Sequence, residues 1–367
     1  MDHQQKMIYC FIGTKAQLIK MAPIIAQLRL NNIPYRYIDS GQHAITTQKL
    51  RQVFDLPAPD LNLRSTAKDI TSTADAISWY VGLFWKSQIN RRWLREVVFP
   101  QNGICLIHGD TLSTLLGMQM ARAAGVRVAH VEAGLRSFHW FDPFPEELIR
   151  VFCMKHADLL FAPSANSERN LTAMRLKGKV VRVEGNTVAD SLAWIRSKGL
   201  LFRDKMTDQF AVATCHRIET IANRHRLRQV IDLLNLVSET MRTVFVIHEP
   251  TRAALARFDL FQEMSPRITL NELMEYSDFI PMLMASQIVL TDGGSIQEEC
   301  AYLGKPCLIL RNQTERSDGL GETATLWGFD RGVAKSFLRK FTGATFSPTV
   351  ALPQPSAQIV DHLVSWA

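Results

Sequence analysis

The chain lacks most of the short signals that would assign it quickly. No GxxxxGK[ST] loop occurs and no GxGxxG follows a strand-like run, which excludes a P-loop NTPase and an ordinary nicotinamide dehydrogenase. HExxH and GxSxG are also missing, which removes zincins and serine hydrolases. The six cysteines, Cys10, Cys105, Cys153, Cys215, Cys300 and Cys307, form no CxxC and no zinc spacing. Most lie in apolar runs, the setting of buried thiols in a reducing compartment, so a cytoplasmic location is expected. No apolar run approaches the roughly 20 residues of a membrane span. The strand-like MIYCFIG begins too early for a signal-peptide apolar core. Basic residues exceed acidic ones, 42 to 35, but the charge of +7 is scattered and no DNA or RNA module is visible. That balance suits an anionic small substrate, and no metal or other cofactor is expected.

What is present is alternation. With 367 residues, 47% hydrophobic and 21% charged, the chain fits two ordinary soluble domains. MIYCFIG, PYRYIDSGQH, ICLIH, RVAHV, ADLLFAPS and VVRVEGN read as strands separated by helical stretches. Pro23 marks a kink in the first helix. After a linker candidate at 191–206 the pattern restarts with FAVATCH, TVFVIHE, QIVLTDG and PCLILRN. Such alternation means doubly wound parallel sheets, here two Rossmann-like α/β halves, 1–190 and 191–354, with their strand ends on an interdomain cleft. A C-terminal helix at 355–367 packs back on the first half. ISWYVGLFWKSQINRRWLREVVF reads as one amphipathic helix on the sheet, with a membrane-surface contact as the alternative.

Three acidic sites stand out in the first half. ICLIH and RVAHV run into Gly109-Asp110 and Glu132-Ala133-Gly134, with a helix-patterned stretch of about twenty residues between them. Parallel strands put both carboxylates at one sheet edge, where open α/β sheets bind ligands. Glu146 follows a Phe/Trp-rich loop. Taken singly, Asp110 reads as a helix N-cap, Glu132 as a surface ion pair and Glu146-Glu147 as first-turn acids. Together they read as a proton-transfer site.

The second half carries anion-binding signals. Gly293-Gly294-Ser295 leads from a strand into a helix, a place for a phosphate. Glu298 or Glu299, a turn further in, suits ribose hydroxyls; a plain tight turn with an acid-rich helix stands equally. His216-Arg217, Arg311 and Thr314-Glu315-Arg316 follow strand ends and suit phosphate contacts. Lys15 and Lys20, near the start of the first helix, are second anchors or solvated charges.

With these residues in view, GTKAQLIKMAP, SGQH, HGDTLST, HVEAGLRS, FPEELIR, EGNTVADSL, TCHRIET, TDGGSIQEE and LGKPCLILRNQTER resemble the non-hydrolysing UDP-N-acetylglucosamine 2-epimerases of the GT-B fold. The resemblance covers residues 8 to about 330. It implies elimination of UDP to a 2-acetamidoglucal and its re-addition, interconverting UDP-GlcNAc and UDP-ManNAc or a close UDP-HexNAc pair. It implies Asp110, Glu132, Glu146 and His216 as catalytic. It implies Lys15, Lys20, Gln42, His43, Arg136, Arg217, His248, Gly293, Gly294, Ser295, Glu299, Arg311, Thr314 and Arg316 as substrate-binding, and a homodimer. Gln42, Arg217 and His248 match positions implicated in activation by a second UDP-GlcNAc in bacterial relatives. Ligand groups drawn from both halves imply domain closure about residues 186–206. The family's GTRPE, TDSGG and HRxEN are here Gly13-Thr14-Lys15-Ala16-Gln17, Thr291-Asp292-Gly293-Gly294-Ser295 and His216-Arg217-Ile218-Glu219-Thr220. The alternatives are a GT-B glycosyltransferase, a hydrolysing epimerase that releases ManNAc, and an inactive nucleotide-sugar-binding subunit; all three acids being present speaks against the last.

Overall fold

The computed structural model describes residues 6–65, 68–140, 144–200, 209–314, 316–344 and 351–366. The chain divides into one unit of Met1–Trp194 with Pro353–Ala367 and a second of Ile195–Leu352. Each is an α/β unit around one parallel sheet.

The first sheet takes β1 (Met7–Ile12), β2 (Tyr35–Asp39), β3 (Leu61–Asn62), β4 (Gly103–His108), β5 (Arg127–Val131), β6 (Leu159–Ala162) and β7 (Lys179–Arg182) in the order 3-2-1-4-5-6-7. β4 is buried at every position, as expected of a central strand covered on both faces, and so its sequence is a continuous apolar run. Helices α1 (Lys15–Leu30), α2 (Ala44–Val53), α3 (Thr73–Ile89), α4 (Leu112–Ala124), α5 (Glu146–His156), α6 (Ala165–Ala173) and α7 (Val188–Ser197) connect the strands. α1 opens on a capping box between Thr14 and Gln17 and continues through Pro23.

The second sheet takes β8 (Phe210–Cys215), β9 (Arg242–Ile247), β10 (Ile268–Glu272), β11 (Ile288–Thr291), β12 (Cys307–Ile309) and β13 (Ala324–Leu326) in the order 10-9-8-11-12-13. Its main helices are α8 (Arg224–Ser238), α9 (Glu249–Arg257), α10 (Tyr276–Ala285), α11 (Gly294–Tyr302) and α12 (Arg331–Phe341). The last helix, α13 (Pro355–Trp366), belongs to the first unit, where Ser356 binds Asp190 through both its backbone N–H (2.9 Å) and its hydroxyl (2.6 Å).

Three readings of the sequence change. The segment taken as a linker begins inside α7, because Val188, Leu192 and Ile195 are buried core residues; 201–208 lies outside the described residues. The aromatic segment is not one helix. α3 stops at Asn90, whose side chain caps the short helix Arg91–Trp93, and Leu94–Val98 follows as a π-turn. β3, β10 and β13 escaped the sequence reading because they are edge or near-edge strands, short or only half buried.

Candidate active site

Both sheets change direction at one point, between β1 and β4 in the first and between β8 and β11 in the second. Open α/β sheets bind ligands at such switch points.

In the first unit His108 is paired with Val131, so Gly109-Asp110 and Glu132 leave the sheet side by side. Gly109 has φ +67°, a turn that needs no Cβ. Asp110 is not the helix cap: Thr111 takes that role, its hydroxyl accepting from the Thr114 N–H at 3.3 Å. Asp110 instead pairs with Arg150 of α5. Arg150 also binds Glu147 at 2.9 Å, and Glu147 receives Arg136 Nε at 2.5 Å. The Arg136 assigned to substrate is thus engaged by a fully buried Glu147, a residue the sequence reading left as a first-turn acid. Glu146 opens α5 and is half buried.

Glu132 is 8% exposed, which removes the surface ion-pair reading. Its φ is +65°, a conformation that costs a non-glycine residue on the order of 1–3 kcal/mol and clusters at functional sites. Its Oε1 meets Lys20 Nζ of α1 and Asn186 Nδ2, the latter at 2.5 Å. His108 Nε2 lies 3.9 Å from its Oε2. Nearby, His130 Nε2 donates to the Gly109 carbonyl at 2.7 Å. Burial pushes the His130 imidazole down to about 4, overriding that bond and the Asp110 and Glu132 charges, so it is neutral at neutral pH.

Lys15, Gln42 and His43 gather at the ends of β1 and β2. The Lys15 N–H reaches His43 Nδ1 at 3.4 Å, and Gln42 Oε1 accepts from Ser113 Oγ at 2.8 Å. Burial lowers the His43 imidazole below its usual range. Gln17, which the sequence reading noted only as a departure from GTRPE, ties the two turns together. Its Oε1 accepts from the Gly13 N–H at 2.9 Å, and its Nε2 donates to the His108 carbonyl at 3.0 Å. A glutamate there could not make the second bond.

In the second unit Asp292 follows β11 and is fully buried. Its Oδ2 accepts the N–H groups of His216 and Arg217, both at 2.8 Å, and its Oδ1 lies 3.2 Å from His216 Nδ1. Burial alone would raise this carboxyl; the His216 ring and the two N–H groups outweigh it and hold it below the usual range. The His216 ring stacks on His248, centroids 4.6 Å apart. Gly293 is the N-cap of α11, and a Cβ there would come 3.3 Å from His216 Cε1. Gly294 is buried and Ser295 exposed in the helix's first turn. Glu299 is buried near the Tyr276 side chain, while Glu298 pairs with Arg316 at 2.9 Å. Gln297 shapes the loop that follows β12: its Oε1 accepts from Thr314 Oγ1 at 2.9 Å and its Nε2 donates to the Arg316 and Asp318 carbonyls. Arg311 is 8% exposed at the start of that loop; Glu315 lies outside the described residues.

A family model described as UDP-N-acetylglucosamine 2-epimerase matches residues 27–331. The chain belongs to this family. The UDP-N-acetylglucosamine 2-epimerase of Bacillus subtilis is 34% identical over 330 residues, 86% of this chain and 80% of its own. That of Methanocaldococcus jannaschii is 30% identical over 323 residues, 84% of each chain. Among solved structures, UDP-GlcNAc 2-epimerase from Neisseria meningitidis bound to UDP-GlcNAc matches at a TM-score of 0.82 and 26% identity, covering 98% of this chain and 100% of that one. The two parallel-sheet units are those of this epimerase family's GT-B-like fold.

Within the epimerase family pattern, the partners that hold the acids were the part not read from sequence. Arg150 and Asn186 both lie inside quoted motifs, FPEELIR and EGNTVADSL. The available signals were a charged Arg150 between Ile149 and Val151 and an amide at the turn Gly185-Asn186-Thr187.

Proposed function

We propose that this protein interconverts UDP-GlcNAc and UDP-ManNAc, or a close UDP-HexNAc pair, without a metal or other cofactor. The observation that carries the reading is the pair of carboxylates, Asp110 and Glu132, on adjacent strand ends, each bound by its own cation, with neutral His130 beside them. In the forward step a carboxylate takes the C2 proton, a C1=C2 bond forms, and the C1–O bond breaks with its electron pair leaving on UDP. In the return step UDP attacks C1, and C2 is protonated on the opposite face. Two acid–base groups are needed because the proton leaves one face and arrives on the other. Asp110 and Glu132, with Glu146, fill these roles in this reading.

UDP takes the second unit's residues: the N–H groups at the start of α11 and His216 for the diphosphate, and Glu299 for the ribose. Arg311, Thr314 and Arg316 add contacts from the loop after β12. Arg217 and His248 complete the second unit's polar set, and Lys15, Gln42 and His43 are the first unit's substrate-binding residues. Incubation with UDP-GlcNAc alone, followed by separation of nucleotide sugars, should give a stable mixture of UDP-GlcNAc and UDP-ManNAc. Release of free ManNAc and UDP would assign the hydrolysing reaction, and turnover only with an acceptor would assign a glycosyltransferase.

We further propose a cytoplasmic homodimer. All six cysteines are free and buried, and among the described residues no helix is long and apolar enough to cross a membrane. α3 packs Leu83 inward and leaves Ile77, Val81, Trp85 and Ile89 exposed at four-residue spacing, an apolar stripe that suits a second copy. Sedimentation should give twice the chain mass, and Trp85→Glu should return it to one.

A further inference from the structure

We infer that Asn186 is a positioning residue for the proton transfer, holding the Glu132 carboxylate ionised and aimed through the bond from its Nδ2 to Glu132 Oε1. The inference rests on the epimerase reading above. The two residues are 54 positions apart in sequence, both buried, and joined at 2.5 Å.

The direction of this bond is set by the helix that follows. Asn186 Oδ1 faces the Val188 N–H at 3.4 Å and the Thr187 hydroxyl at 3.5 Å, at the entrance to α7. Turning the amide over would set its NH2 against that N–H and its oxygen against the carboxylate. The start of α7 therefore fixes Asn186 as a donor to Glu132. A donor to a carboxylate favours the charged form. An amide does not titrate, so its donation persists at every working pH, unlike that of a histidine.

The other groups facing Glu132 come from several elements. Lys20 of α1 shares Oε1, and His108 of β4 stands 3.9 Å from Oε2. Neutral His130 of β5 and the charged pair of Asp110 with Arg150 from α5 form the wider surroundings. Lys20 supplies charge on a flexible stem, while Asn186 supplies direction from a helix start. With Glu132 in a left-handed backbone conformation, this anchor fixes where the carboxylate points.

Asn186 does two jobs, ordering the first turn of α7 and anchoring Glu132, and substitution separates them. Asn186→Asp keeps an oxygen for the helix N–H groups, and Asp caps helices as well as Asn. It replaces the donor with an acceptor beside Glu132. Asn186→Ser keeps a capping oxygen but is too short to replace the amide nitrogen. Both variants should melt within a few degrees of wild type. Asn186→Asp should lower kcat by about 10²-fold and Asn186→Ser by about tenfold, with KM for UDP-GlcNAc within about threefold.

With Glu132 as the group that takes the C2 proton, the turnover-competent form has it ionised, so activity is present above its pKa and lost as pH falls through it. Losing the donor raises that pKa, and the acid limb of kcat should move up by about one pH unit in both variants. Wild-type kcat and an unmoved acid limb in either folded variant would overturn the inference, as would a lower melting point with unchanged kcat. A wild type that does not epimerise overturns the epimerase reading and the inference together; an active wild type with unaffected variants overturns the inference alone.

Discussion

Beside the switch point of the first sheet, at the ends of β4 and β5, Asp110 and Glu132 are held by side chains: Arg150 for one, Lys20 and Asn186 for the other. At the switch point of the second, Asp292 is bound to the backbone N–H groups of His216 and Arg217. The motifs look alike in sequence, an acid one or two residues after an apolar strand. Their partners divide them. The first two carboxylates are held ionised by cationic side chains at their strand ends, whereas Asp292, spent on N–H groups, shapes a turn and orients His216. In the function proposed above, the same parallel architecture serves acid–base chemistry in one unit and anion binding in the other.

The largest effect should come from Lys20→Ala, which leaves Glu132 buried without its cation. Such a loss costs about 3–5 kcal/mol at neutral pH. The cost falls on the ionised, buried carboxylate, which keeps its Asn186 and His108 neighbours. Urea unfolding at pH 7 should show the loss; wild-type stability in Lys20→Ala would break the comparison.

Next in size, Asp110→Asn, Glu132→Gln and Glu146→Gln should each lower kcat by roughly 10²-fold or more. UDP affinity by calorimetry should stay near wild type. An unchanged rate in any one of them would move that residue to the structural side. In the second unit the pattern should reverse: Glu299→Ala and Arg316→Ala should weaken UDP binding by about 1–3 kcal/mol each. Wild-type UDP affinity in both would remove this pocket.

The smallest effect concerns Asp292. Its folded pKa lies below the unfolded value, so its contribution is present above about 3.9 and lost as pH falls through the folded pKa. An amide in its place does not ionise, so Asp292→Asn should cost about 1–2 kcal/mol near neutrality and flatten the stability curve below pH ~4. Melting curves from pH 5 to pH 2 would measure both.

These contrasts also mark what the sequence could and could not convey. β4, β5, β8 and β11 were legible because central strands buried on both faces are unbroken apolar runs. Asp110 and Glu132 were legible because strand–helix–strand spacing brings their ends to one edge. Their partners were not, because parallel crossovers bring Lys20, Arg150 and Asn186 to them across 112, 40 and 54 positions. Gln17 and Gln297, which lock the turns, are single amides whose partners only the fold supplies. The edge strand β10 was missed since only Ile268 is fully buried and its other positions are polar or half exposed.

The central claim is that the first unit's carboxylates remove and return the proton at C2. Proton NMR of UDP-GlcNAc turnover in D2O, with no acceptor present, tests it most directly. The account predicts UDP-ManNAc formation with deuterium entering C2 of both epimers as equilibrium is reached. Conversion that retains the original proton at C2, or turnover that strictly requires an acceptor with no exchange at C2, would contradict it.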